Sequence, residues 1–107
     1  MFARMLELTV KPDKKDDIVR IIKAEVLPIL KKQPGFLEIL PFFPEIKNEK
    51  VIAVSLWAEK RDAEKYEREH FRKVEELMMP YLEARIFVKP YMVETKLCEH
   101  FVQTLVA

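Results

Sequence analysis

The segment VIAVSLWA at residues 51–58 constrains the fold more than any other part of the chain. It carries no charge and is apolar at both its odd and its even positions. Side chains of a strand alternate between two faces, so this pattern is typical of a strand that is covered on both sides. The sequence therefore predicts a sheet with helices on one face and a second layer on the other.

Hydrophobic periodicity along the rest of the chain predicts the other elements. They are, in order, a strand over residues 2–11, a helix over 14–33, strands over 36–43 and 51–58, a helix over 60–79 and a strand over 85–95. Pro28 is expected to kink or divide the first helix, because proline lacks a backbone N–H. Pro41 and Pro90 are expected to mark edge strands or bulges. The order β-α-β-β-α-β predicts an α+β, ferredoxin-like fold with an antiparallel sheet.

Two helices can cover only one face of such a sheet, and a second copy of the chain is the simplest cover for the other face. We therefore expect a homodimer. Residues 1–95 form the predicted domain. Residues 96–107, KLCEHFVQTLVA, form an apolar tail that is expected to dock on the dimer, where it can cross to the partner as an added strand.

The composition excludes several classes of function. The chain of 107 residues has 19 Lys plus Arg against 18 Asp plus Glu, which leaves no basic field for nucleic acid. One glycine is too few for loops that cradle phosphates, and one cysteine with two histidines is too few for a zinc cage. No segment approaches the roughly 18 apolar residues of a membrane span. We expect a cytoplasmic protein with no metal site, no nucleic-acid partner and no membrane contact.

Four side chains are candidates for a functional site. Tyr66 and His70 lie about one turn apart on the inward stripe of the second helix, and an imidazole is suited to act as general base on a phenol or an enol. Trp57 ends the buried strand, and its indole N–H needs a partner. Arg4 interrupts the apolar face of the first strand, where it can face a developing oxyanion or form a salt bridge with Glu38. Packing roles in the core are the alternative for the aromatic residues and the histidine.

The segments ELTVKPDKKDD, EVLPILKKQPGF and VSLWAEKRDAEKYE resemble the antibiotic biosynthesis monooxygenase (ABM) family. The most specific part is a strand that ends in Trp, a short charged turn, and Ala-Glu-x-Tyr on the following helix. The resemblance implies a dimeric α+β barrel in which two sheets pack face to face. It also implies oxidation of a small aromatic or quinol-type substrate without a cofactor. For that function His70 and Tyr66 are the candidate catalytic residues, and Trp57 and Arg4 the candidates for substrate binding.

Haem-degrading members of the family use an Asn, a Trp and a His, and these positions fall here at or near Leu6, Tyr66 and Glu76. None of the three residue types is kept, and a carboxylate does not replace the neutral imidazole ligand of iron. We therefore expect no haem and no other cofactor. The missing residues also favour an alternative function, a non-catalytic dimer that binds a small hydrophobic ligand or a protein partner. The sequence leaves both functions open.

Overall fold

The computed structural model describes residues 1–100 and consists of a four-stranded antiparallel sheet with helices on one face. The strands are β1 (Phe2–Leu8), β2 (Phe36–Phe42), β3 (Val51–Trp57) and β4 (Phe87–Met92). The helices are α1 (Lys15–Ile21), α2 (Leu27–Lys31), α3 (Lys60–Glu69) and α4 (Phe71–Met78), with a π-helical turn at Ile22–Val26 and 3-10 turns at Met79–Tyr81 and Thr95–Leu97. The element order confirms the predicted α+β, ferredoxin-like fold class.

The strands lie in the order β2-β3-β1-β4, so β3 and β1 are central and β2 and β4 are edges. Pro41 lies in β2 and Pro90 in β4, which confirms the edge positions expected for them. The pairing of β1 with β3 sets Arg4 opposite Ser55 and Phe2 opposite Trp57. These four side chains face the helices, since each strand alternates between a helix face and an open face.

The first helix contains an irregular turn just before its proline. A continuous helical run from Lys15 to Lys31 contains the π-turn directly before α2, and Pro28 lies in the first turn of α2. Proline cannot donate to the carbonyl four residues earlier and its ring crowds that carbonyl, so the regular ladder is disturbed just before it. The disturbance expected at Pro28 therefore takes the form of a π-turn within one helical run.

The prediction of one continuous helix over 60–79 is wrong, because the helix breaks at His70, where φ is −133°. Tyr66 and Phe71 both direct their rings at Arg4. In an unbroken helix, residues five positions apart point about 140° away from each other and cannot face the same group. The break between α3 and α4 therefore allows both rings to contact one side chain.

The turn into β2 depends on Gly35, which has a φ of +78°. Its carbonyl accepts a hydrogen bond of 2.7 Å from the Ala58 N–H, which joins this turn to the end of β3. A Cβ at this position would clash with the side chain of Asp62. Both the backbone conformation and the lack of space therefore require glycine here.

The core lies between the sheet and the helices and includes the fully buried Leu8, Ile18, Trp57 and Val74. The opposite face of the sheet carries apolar side chains that remain partly exposed in the single chain, such as Phe42 and Phe87 at 55% each. The expected second layer on this face stays a prediction.

The predicted boundary at residue 95 also stays a prediction. The 3-10 turn at Thr95–Leu97 follows β4, and Leu97 is 84% exposed. Residues 101–107, which hold most of the tail expected to dock on the dimer, lie outside the described residues.

Candidate functional site

The candidate site is centred on Arg4, whose charge is buried without a hydrogen-bond partner. The residue is 2% exposed, and within residues 1–100 none of its Nε, Nη1 and Nη2 atoms has a partner. Burial lowers the pKa of Arg4, whereas the Tyr66 hydroxyl and the Glu67 carboxylate act in the opposite direction. The hydroxyl lies close enough to interact weakly with the guanidinium, although no Arg4 nitrogen meets full hydrogen-bonding geometry. Arginine stays protonated in proteins, so the site holds a buried cation with no hydrogen-bonded anion in the described chain.

Aromatic rings surround this cation. The guanidinium carbon lies 4.5 Å from the ring centroid of Phe71 and 5.2 Å from that of Tyr66. The Tyr66 ring lies 5.1 Å from Trp57, which contacts Phe36 at 5.5 Å in an edge-on arrangement. Cation–π contacts stabilise a desolvated cation by roughly 2 kcal/mol each, which offsets only part of the free energy of burying the charge.

Tyr66 is a hydrogen-bond donor at this site rather than a base. Burial raises the pKa of Tyr66 to about 12, and the nearby Arg4 charge counteracts part of that shift. The phenol is therefore protonated at neutral pH. Its hydroxyl can donate to an anion that binds Arg4.

Trp57 is fixed in place by Ser55. Its indole Nε1–H donates a hydrogen bond of 3.0 Å to the Ser55 hydroxyl, and both residues are buried. The two residues are separated by two positions in β3 and therefore share one face of the strand. The partner of the indole could therefore have been predicted from the sequence. Ser55 is the single serine of the chain and lies two residues before Trp57 in the same strand.

A small cavity of about 20 Å³ lies between the sheet and the helices. Its polar lining consists of Arg4, Ser55 and Tyr66, and the remaining lining is apolar. A space of this size holds about one water-sized group. The cavity can therefore take a single water-sized group beside the Arg4 side chain.

A larger groove of about 660 Å³ lies between the first helix and the edge strand β2. Apolar side chains form most of it, among them Phe36 and Phe43, and Lys23 and Lys31 lie along the helix side. The volume is within the range of roughly 300–1,000 Å³ that is typical of small-molecule sites.

The structure brings together three of the four predicted site residues. The Tyr66 ring contacts both Arg4 and Trp57, whereas His70 lies half-buried at the break between α3 and α4 and is not among the residues that line the cavity. Its role as a base stays a prediction. The expected salt bridge between Arg4 and Glu38 is wrong, because β3 separates their strands and Glu38 pairs with Leu56 on the open face.

Sequence reasoning missed Phe71, which makes the shorter of the two ring contacts to Arg4. In the predicted continuous helix this residue lay off the inward stripe. Only the break at His70 directs it to the site.

Neither a metal centre nor a membrane-spanning helix is found in the described part of the chain. Within residues 1–100, no three His, Cys, Asp or Glu residues lie close enough to hold a metal ion together. None of the helices described is long and apolar enough to cross a bilayer.

A ferredoxin-like sheet with a ligand-sized groove and a small, mostly apolar cavity under its helices defines a class of α+β proteins with a site between sheet and helices. Residues 1–77 match the sequence profile of the antibiotic biosynthesis monooxygenase (ABM) family, and the chain belongs to that family. The resemblance noted from the sequence is thereby confirmed. No curated protein matches this sequence.

Solved structures similar to this chain agree with the family. SnoaB, a cofactor-independent oxygenase from Streptomyces nogalater, aligns with a TM-score of 0.74 at 13% identity over 92% of this chain and 97% of that chain. The ActVA-Orf6 monooxygenase from Streptomyces coelicolor, in complex with Nanaomycin D, aligns with a TM-score of 0.70 at 16% identity over 87% of each chain. A conserved protein from Methanosarcina mazei Go1 aligns with a TM-score of 0.69 at 18% identity over 88% of this chain and 94% of that chain. At these identities the similarity establishes the fold alone.

Proposed function

We propose that the protein is a cofactor-independent monooxygenase that oxidises a small phenolic or quinol-type aromatic substrate. The observation that carries this proposal is the buried guanidinium of Arg4, which has no hydrogen-bond partner in the described chain and lies at a cavity beside aromatic rings. A phenolate oxygen is an anion of the right size for that cavity. A charge-assisted hydrogen bond from the guanidinium stabilises it more strongly than a neutral donor does.

The proposed reaction converts a phenol with a hydrogen on the para carbon into a quinone. Loss of the hydroxyl proton gives the phenolate, which transfers one electron to dioxygen and forms a radical and superoxide. These combine at the para carbon to form a C–O bond. The hydroperoxide then loses water as the O–O bond breaks and the para hydrogen leaves as a proton. One substrate and one O₂ yield one quinone and one water, so the substrate is the only reductant.

Each site residue has a role in this scheme. Arg4 stabilises the phenolate and so lowers the pKa of the bound substrate, since an adjacent opposite charge favours the ionised form. Tyr66, which is protonated, donates to the same oxygen. Trp57 supports the Tyr66 ring. His70 is the proposed base that removes the hydroxyl proton, on the evidence of its residue type and its place one turn beyond Tyr66.

The proposed assembly is a homodimer in which two open sheet faces meet. The exposed apolar side chains on that face, Phe42, Phe87 and Tyr91, support it, because exposed apolar surface favours association. The single cysteine, Cys98, fits the proposed cytoplasmic location, since reduced thiols persist there.

A second function, non-catalytic binding of a small hydrophobic ligand or a protein partner, is favoured by one observation. The cavity has few groups that can accept a proton, since Tyr66 is protonated and His70 is not among its lining residues. A protein of this kind would bind the phenol without consuming oxygen.

Oxygen uptake with 1-naphthol tests the proposal and separates the two functions. We expect one O₂ consumed for each 1,4-naphthoquinone formed, one ¹⁸O atom from ¹⁸O₂ in the product, and no hydrogen peroxide. Arg4→Met should reduce kcat by about 10²-fold or more, as expected for loss of an oxyanion donor. The matched control Lys65→Gln removes an exposed charge on α3 and should change nothing. Binding of 1-naphthol without oxygen uptake would instead support the second function.

A further inference from the structure

We propose that the ring of the ligand lies in the groove between the first helix and β2, and that only its acidic oxygen passes between Ile22 and Ile39 to reach Arg4. The ligand class is then a flat apolar aromatic with one ionisable hydroxyl at its end. This inference rests on the proposed function for the identity of the ligand as a phenol. It adds where the body of the ligand binds and which residues control its entry.

The sizes of the two spaces require this division. The cavity at Arg4 has a volume of about 20 Å³, which is room for one water-sized group and far too little for an aromatic ring. The groove has a volume of about 660 Å³ and is lined by aromatic side chains that include Phe36 and Phe43. A phenol therefore fits only if its ring and its oxygen occupy different spaces.

The two spaces are adjacent because they share two walls. Ile22 and Ile39 line both the cavity and the groove, one from the helix side and the other from the sheet. An oxygen that passes between these side chains moves directly from the groove to the cavity of the guanidinium. The oxygen of the ligand thus gives Arg4 the anionic hydrogen-bond partner that it lacks. It reaches Arg4 from the side of the open, apolar groove.

Both shared residues lie in or next to irregular backbone. Ile22 is the first residue of the π-turn that precedes α2. Ile39 follows a register shift in β2, between Phe36 and Glu38. Irregular turns and bulges of these kinds occur often at functional sites because they redirect single side chains. The two irregularities thus lie next to the two residues, Ile22 and Ile39, that separate the groove from the cavity and control entry to it.

The charges along the groove also fit an anionic ligand. Lys23 and Lys31 lie on the helix side, against one carboxylate from Glu38 on the strand side. The excess of positive charge favours the approach of a phenolate over that of a cation.

Binding of 4-nitrophenol tests the inference without any oxidation, because the visible absorption band of its phenolate reports the ionisation state. We expect the wild-type protein to bind the phenolate at least about tenfold more tightly than the phenol, which corresponds to a lowering of the bound probe's pKa by about one unit. Arg4→Met should remove that preference.

Substitutions at Ile39, one of the two residues between the groove and the cavity, test the route by which the ligand oxygen reaches Arg4. Ile39→Trp should fill the passage and weaken binding at least about tenfold, whereas Ile39→Ala should widen the passage and raise the association rate measured by stopped flow. Ile46→Trp places the same indole on an exposed residue outside the groove and serves as the matched control. Circular dichroism melting shows that each variant is folded, and Ile39→Ala carries the test if Ile39→Trp does not fold.

The outcomes separate this inference from the proposed function. If both Ile39 variants bind with wild-type affinity and rate while Arg4→Met loses the preference for the phenolate, the ligand reaches Arg4 by another route and the inference is wrong. If the probe binds only when the protein is diluted to a monomer, a partner copy covers the groove, which also overturns it. If the Ile39 variants behave as expected but 1-naphthol causes no oxygen uptake, the inference stands and the oxygenase function is wrong.

Discussion

Replacing Arg4 by methionine should make the ligand-free protein more stable. The guanidinium is buried, and in the described chain none of its three nitrogens has a hydrogen-bond partner. Desolvation of such a charge costs several kcal/mol. The two ring contacts, at 4.5 Å to Phe71 and 5.2 Å to Tyr66, return roughly 1–4 kcal/mol together. Methionine has a similar length and packs well against aromatic rings. The net expectation is a gain of about 1–3 kcal/mol in the free energy of unfolding.

Urea denaturation followed by the fluorescence of Trp57, the single tryptophan, measures this change. Thermal melting gives a second measure, in which a gain of about 1 kcal/mol in the free energy of unfolding corresponds to a rise in Tm of roughly 4–8 °C for a domain of about 100 residues. Wild type and variant must be compared at one protein concentration, because dimerisation contributes to the apparent stability. Lys65→Met, at an exposed position of α3, is the control for loss of a positive charge and should stay within about 0.5 kcal/mol of wild type.

A loss of stability in Arg4→Met would refute the reasoning. Breaking a buried pair by removing one partner costs about 3–5 kcal/mol, so a decrease of that size would show that Arg4 has an anionic partner in the native protein. Saturating 4-nitrophenol should raise the Tm of the wild type by more than that of the variant, since a ligand stabilises the native state in proportion to its affinity for it.

Four further predictions concern other parts of the molecule. Because the pKa of Tyr66 is raised to about 12, its contribution to stability is complete below pH 10 and decreases as the pH rises toward 12; Tyr66→Phe should remove an alkaline loss of roughly 2–3 kcal/mol in urea titrations. Light scattering should give twice the chain mass of 12.8 kDa, and Val54→Lys on the open face should give the monomer; a monomeric wild type contradicts the dimer. His70→Ala should lower kcat by about 10²–10⁴-fold with little change in Tm if the residue is the base, whereas a loss of about 1–3 kcal/mol with turnover retained assigns it to the core. Gly35→Ala should lower the Tm, since its φ is +78° and a Cβ meets a neighbouring carboxylate; an unchanged melting curve contradicts that account.

Deleting residues 97–107 tests the tail. We expect a lower Tm or a weaker dimer, because apolar side chains that dock bury surface on assembly. A deletion variant with the melting curve and the mass of the wild type would show that the tail does not dock.

The order and type of the elements could be predicted from local patterns, because strand and helix periodicities depend on residues that are neighbours in the chain. The alternation of VIAVSLWA identified the central strand β3. Pro41 and Pro90 marked the edge strands β2 and β4, since a missing N–H is tolerated where one side of a strand is unpaired. Pro28 marked the disturbance of the first helix in the same way. Each of these features depends on a few neighbouring residues.

The residues that surround Arg4 could not be predicted from the sequence, because they come from distant segments of the chain. The strand order separates it from Glu38, and the register with β3 sets it opposite Ser55. The break at His70 brings in Phe71, which helical spacing placed elsewhere. Periodicity predicts which face a side chain occupies, but it cannot predict which side chains from distant segments meet on that face, nor the space left between them. The unpaired charge, the cavity and the groove all depend on these distant contacts, and for that reason the candidate site emerged only from the fold.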